Sequence, residues 1–187
     1  MANRNSQGFG LIPAGTLGQT PATSGTGKYK IDAGYATTIF QGGAVSSSAG
    51  YIVEGQGTAD NPMVGVLNGI FYNAATTLKP TFSNHYVQVT PANSEDIDAF
   101  VFDNPQQQYV VATDAAVAQS GYLETYDMNA SAGSTTTGKS SSTLDIGDTS
   151  ADAAAFRLLR SAEDPENDEN AAFRSVVVCL NLIELQS

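Results

Sequence analysis

The sequence predicts an all-β protein: a compact β-barrel or β-sandwich domain over residues 28–187, preceded by an extended N-terminal arm over residues 1–27. Three observations point there. Charged residues make up 14% of the chain, against about 25% in ordinary globular domains, so long helices lack their charged faces. Gly, Ser and Thr together fill 28% of the 187 positions, a composition of turns and extended chain. From Tyr29 onward, short apolar runs alternate with turn signals at the spacing of a sandwich or barrel.

The arm comes first. Gly8, Gly10, Gly15, Gly18, Gly25 and Gly27 recur there with Pro13 and Pro21, and such a stretch closes no core of its own. Phe9, Leu11, Ile12 and Leu17 are its only large apolar anchors. Two readings stand: a frayed terminus, or an arm that orders on a neighbouring subunit through those four side chains.

Candidate strands follow at 29–31, 36–40, 44–45, 50–53, 63–67, 69–72, 86–89, 97–102, 109–112, 122–127, 143–146 and 153–159. Asn68-Gly69, between Val66-Leu67 and Ile70-Phe71, is the strongest short hairpin signal in the chain. The last run, Ser175 to Leu185, is apolar on both sides of its alternation and reads as a central strand covered on both faces. Its three consecutive valines disfavour a helix. Helix is expected only in short pieces such as 113–118.

Charge narrows the partners. The net charge is −11, and residues 91–187 carry sixteen acidic groups against four basic ones. No basic cluster is available to release counterions from phosphate, so nucleic acid is not an expected partner. Acidic surface repels anionic lipid and no apolar run approaches a membrane span, so a soluble chain is expected. The single Cys179 has no thiol to pair with inside the chain.

Several stretches imitate chemistry. Gly133-Ser134-Thr135-Thr136-Thr137-Gly138-Lys139-Ser140 spells a nucleotide-binding loop, which works only between a strand and a helix whose N-terminus faces the phosphate. The following Ser140–Asp148 has no helical periodicity, so a chance match is expected. The acidic run 163–170 is rich in calcium-ligand residue types. Counted from Asp164, however, Glu169 stands where a calcium loop needs glycine, and Ser175 where it needs glutamate. It reads as a solvated turn. His85 is the only histidine and reads as a packed or surface residue. Glu95, Asp96 and Asp98 are the nearest thing to a carboxylate pair for glycoside hydrolysis, but the chain has no Trp for a sugar platform. No catalytic, cofactor or metal residue is therefore assigned, and no enzyme is expected.

Other stretches carry a resemblance. They are Met1-Ala2-Asn3 with Gly8-Phe9-Gly10-Leu11-Ile12-Pro13-Ala14-Gly15, then the run from Ile31 to Gly42, Gly65 to Tyr72, and Thr81 to Asn84. Ala99 to Pro105, Gly133 to Gly138, Phe156-Arg157-Leu158-Leu159 and the closing strand complete the set. Together they resemble small virion structural proteins of tailed, podovirus-like bacteriophages, the capsid decoration or cement proteins. Where that pattern often has an apolar residue, this chain has Lys139. The resemblance implies a homo-oligomer, a trimer rather than a dimer, that binds the major capsid protein on the capsid exterior after assembly in the host cytoplasm. A tail, head-fibre or host-adhesion subunit is the alternative within virions, and a non-viral β binding module the alternative outside them.

A chance loop binds no nucleotide. Titration calorimetry with Mg-ATP is expected to show no saturable heat for either the wild type or Lys139→Ala. A saturable isotherm that the substitution abolishes would reinstate the site.

Overall fold

The computed structural model describes residues 5–18, 25–147, 154–163, 165–168 and 170–181. The protein is all-β, built from antiparallel strands in three sheets. A five-stranded sheet runs in the order β1 (Ile12–Thr16), β8 (Gln107–Ala112), β13 (Ser175–Leu180), β12 (Phe156–Ser161) and β9 (Thr125–Tyr126). A second sheet runs β2 (Gly27–Ile31), β7 (Ile97–Phe102), β5 (Gly65–Asn73), β3 (Ala44–Ser48) and β4 (Tyr51–Glu54), with β6 (Pro80–Ser83) also paired to β5. β10 (Met128–Asn129) and β11 (Thr143–Leu144) form a short ribbon.

Strand alternation divides the interior into two cores. Tyr109, Val111, Val176, Val178, Phe156 and Leu158 of the first sheet meet Ala44 and Val66 of the second, so one core lies between the two sheets. Val45, Leu67, Ile70, Ile97, Ala99 and Val101 line the other face of the second sheet with Ile31 and Ile52. β2 and β4, at opposite ends of that sheet's hydrogen-bonded order, come close together. The sheet thus curls over its own core, and no closed barrel is formed among the described residues.

β13 is the central strand of the first sheet, and all six of its residues are buried. Val176, Val178 and Leu180 face the shared core. Among the described residues, the other face of β13 is flanked by side chains of β12. Arg160 stands opposite Val177 and Arg157 opposite Cys179 on β12, where long stems can lie over apolar surface while Arg157 Nη1 donates to the Leu123 carbonyl at 2.7 Å. Residues 182–185 of the expected strand lie outside the described residues.

The structure corrects three local expectations. Asn68-Gly69 is not a hairpin turn, because β5 runs straight through it with a bulge between Leu67 and Gly69. The reason is packing: Leu67 and Ile70 both enter the second core, and residues three apart share a strand face only when one extra residue intervenes. Gly69 suits that place, since a Cβ there would lie 2.8 Å from Phe82 Cζ and 2.9 Å from the Ser83 carbonyl. The true partner of β5's far end is β6, reached through 74–79. The stretches 36–40 and 86–89 make only an isolated bridge between Ile39 and Tyr86, and 113–118 forms no helix.

The N-terminal boundary also moves. Gly27 opens β2, and Ile12–Thr16 is an edge strand of this chain's own sheet. Residues 5–18 therefore belong to the domain rather than to a free arm, while 19–24 lie outside the described residues. Gly10 and Gly42 make this possible: Leu11 N–H donates to the Gly42 carbonyl at 2.8 Å, and a Cβ on Gly10 would meet that carbonyl oxygen at 2.7 Å. The glycines allow close approach to the chain's own backbone.

Across β2 and β7, Asp98 receives Lys28 Nζ at 2.7 Å and Lys30 Nζ at 2.6 Å. Burial raises the Asp98 carboxyl, but the two ammonium groups more than offset it and hold it below its ordinary value of 3.8. Hydrogen bonding to Asp98 correspondingly raises Lys30 above its ordinary 10.5. A depressed acid stabilises the fold above its unfolded pKa and loses that contribution as pH falls. Asp98→Asn is expected to cost no more than about 1 kcal/mol near neutral pH, since both lysines are exposed. Chemical denaturation as a function of pH should show that cost shrink as pH falls below the ordinary carboxyl value of 3.8 and be lost as Asp98 protonates in the folded state. A cost that persists at low pH would mean the carboxylate charge is not its origin.

Candidate functional site

The stretches that imitate chemistry are taken up by the fold. Gly133–Ser140 is a tight turn in which Ser134 N–H donates to the Lys139 carbonyl at 3.0 Å and Gly138 N–H to the Ser134 carbonyl at 2.7 Å. Two of the amides that a phosphate would need are thus spent inside the turn. The chain continues into the two-residue β11, so no helix follows Ser140. His85 stacks on Phe40 with ring centroids 6.1 Å apart, and its Nδ1 lies 2.9 Å from Asn84 Oδ1. Asn84 Nδ2 in turn donates to the Thr137 carbonyl at 2.9 Å. The histidine packs beside the turn that carries Lys139.

The acidic residues serve local structure in the same way. Asp164 and Glu169 of the 163–170 run lie outside the described residues. Within the run, Asn167 bridges β12 and β13: its Nδ2 donates to the Ser175 carbonyl at 2.8 Å and to Ser161 Oγ at 3.0 Å, while Ser175 N–H donates to its Oδ1 at 2.9 Å. Asp98 is bound to two lysines, and Asp96 accepts from the Tyr51 hydroxyl at 3.2 Å. Among the described residues, no group of three His, Cys, Asp or Glu side chains is placed to hold a metal ion.

What remains is surface, and the four sequence-predicted anchors divide on it. Leu11 is 1% exposed and packs in the core between the sheets, so it is spent on this chain's own fold and is not free to anchor a neighbour. Phe9 is half-buried. Ile12 is 48% exposed and Leu17 42%. Phe9, Ile12 and Pro13 line one side of a groove of about 300 Å³, with Phe102 on another side and Gln41 and Lys139 among its polar lining. Two edge-strand features limit uncontrolled pairing along β1: Pro13 has no N–H to offer, and the strand is bulged between Pro13 and Gly15.

The groove's remaining members were not legible beforehand. Phe102 continues β7 on the face that Phe100 shares, and Phe100 packs against Phe82 at 6.3 Å. Phe82, on β6, is 63% exposed. The apolar surface around β1 is therefore joined on this side of the second sheet by phenylalanines from two other strands. Their only sequence signal is alternation against the core residues Ala99 and Val101, and Phe102 itself packs against the core between the sheets.

This division predicts opposite costs at adjacent residues. Leu11→Ala should destabilise the fold by about 2–5 kcal/mol, as for other buried leucines, whereas Ile12→Ser should stay within about 1 kcal/mol. Urea unfolding of both variants checks it; equal costs would place Ile12 in the core.

No family model, curated protein or solved structure matches this chain, so the reading of its role rests on its own surface.

Proposed function

We propose that this chain is a structural virion protein that decorates and stabilises the outside of a phage capsid, binding the major capsid protein and copies of itself. The observation that carries the reading is the placing of Phe9, Ile12 and Leu17 on one fixed edge of a compact β domain, beside an apolar groove. Cement function needs no reacting group. It needs a rigid domain, an adhesive edge, and an exterior that tolerates solvent, which the acidic second half of the sequence supplies. A protein that binds only the assembled lattice stabilises it by mass action, and many modest contacts on a repeating surface add through avidity.

The anchoring differs from that of a loose arm. With residues 5–18 ordered on this chain's own domain, the edge is pre-organised, and binding costs little of the ordering entropy that a flexible arm loses. One feature favours the second virion reading, a tail, head-fibre or adhesion subunit: Leu78 is 73% exposed in the loop joining β5 to β6, and Phe82 on β6 is 63% exposed. A receptor-binding loop has that form.

The two readings separate by experiment. Purified protein is mixed with capsids stripped of their surface proteins, and bound copies are counted by sedimentation. Saturable binding that weakens at least about tenfold in Ile12→Ser/Leu17→Ser is expected. Absence of binding by the wild type would refute the cement role. Binding lost in Leu78→Ser but retained in the edge variant would favour the loop.

A further inference from the structure

We propose that the groove beside β1 receives the segment Leu182–Leu185 of a second copy of this chain, joining copies head to tail. This goes beyond capsid decoration, since the contact between copies stands or falls whether or not a capsid is bound.

The groove selects its occupant by chemistry. Phe9, Ile12, Pro13 and Phe102 make it apolar, and the one charged residue lining it is Lys139. Lys139 is exposed, and among the described residues the ion pairs of Asp98 go to Lys28 and Lys30, with none to Lys139. An unpaired cation beside an apolar groove is notable in a chain of net charge −11. The complementary ligand is a short extended segment, aliphatic, with one carboxylate.

Leu182-Ile183-Glu184-Leu185 has that composition. It follows β13 after Asn181 and lies outside the described residues. In extended form Ile183 and Leu185 share one side and Glu184 takes the other. Two aliphatic side chains then enter the groove while the carboxylate stays at the surface, in reach of the exposed Lys139.

Strand direction assigns the segment to another copy. β1 and β13 both run antiparallel to β8, hence parallel to each other. Ile12 is level with Val177, through Val110, whereas Thr16 pairs with Gln107 and Cys179 with Gln108. The chain thus leaves β13 at the Thr16 end, heading away from the groove. To return, it must retrace about four residues, ~13 Å, and cross two strand spacings of ~4.8 Å. A reversal alone uses about two residues, and the two left over span at most ~7 Å. The segment is too short to fill its own groove. A contact between a tail and a different surface is heterologous, so it gives rings if the rotation closes and chains if it does not.

The test is sedimentation of the full chain over a concentration series. It compares wild type with a groove variant, Ile12→Asp, and a tail variant, Ile183→Asp/Leu185→Asp. The wild type should self-associate, and each variant should do so at least about tenfold more weakly. Mixing the two variants should restore one intact contact per pair and give 1:1 heterodimers that grow no further. Lys139→Glu should weaken association about threefold, and adding Glu184→Lys should recover it. Thermal melting establishes that each variant is folded; the tail variant alters no described residue, so it keeps the test sharp if Ile12→Asp is not. A monomeric wild type, association indifferent to the tail variant, or a mixture without heterodimers would overturn the proposal. So would a monomer whose groove amides lose exchange protection in the tail variant, since the tail would then occupy its own groove. Particle binding by the same variants is read separately: capsid binding without self-association refutes only the tail contact, and self-association without capsid binding refutes only the decoration role.

Discussion

Ala44 and Val66 point into one core while their neighbours Val45 and Leu67 point into the other, and this two-sided burial of β3 and β5 constrains everything around them. One face of the pair requires the first sheet as a lid. The other requires the second sheet to curl until β2 and β4 approach each other. Neither strand tolerates a polar residue at these positions, because a buried polar group without a partner costs several times what a hydrogen bond returns. The bulge at Asn68 follows from the same demand. It is the device that keeps Leu67 and Ile70 on one face of a strand whose period would otherwise separate them.

The N-terminal segment obeys that architecture as well. β8 needs a partner on its outer side, and β1 supplies it, while Leu11 fills the core beneath. Glycine at positions 10 and 42 lets the two backbones approach to hydrogen-bonding distance. A stretch that reads as a tether is therefore a structural edge, and its adhesive side chains are the ones the core leaves over. Ile12 follows Leu11 in sequence, so the same alternation that buries one presents the other outward.

Polar groups follow a similar economy. The serine- and threonine-rich turn around Lys139 spends its amides on itself, Asn84 and Asn167 fasten loops to neighbouring chain, and Asp98 joins two lysines across β2 and β7. Polar and acidic residues here fasten turns and strands, and among the described residues no long helix organises the loops. Among the described residues, the fold leaves exposed an apolar edge and, beside it, a small groove with Lys139 in its lining.

The sequence by itself determined the fold class, the central place of the Val176–Leu180 run and several strands, among them 97–102 and 109–112, because period-two alternation and β-branched runs are local signals. It also showed that no helix follows the nucleotide-loop match, since the missing periodicity after Ser140 is a local signal. Only the tertiary structure decided that Asn68-Gly69 is a bulge, that Leu11 is core while Ile12 is surface, and that Phe82, Phe100 and Phe102 lie on the groove's side of the second sheet. Each of these depends on which strand lies alongside, and strand pairing joins residues such as Ile12 and Val110, or Phe71 and Phe82, whose proximity leaves no trace in local composition. A dipeptide reports which turns it permits; the core on either side of it selects the one that buries the most apolar surface.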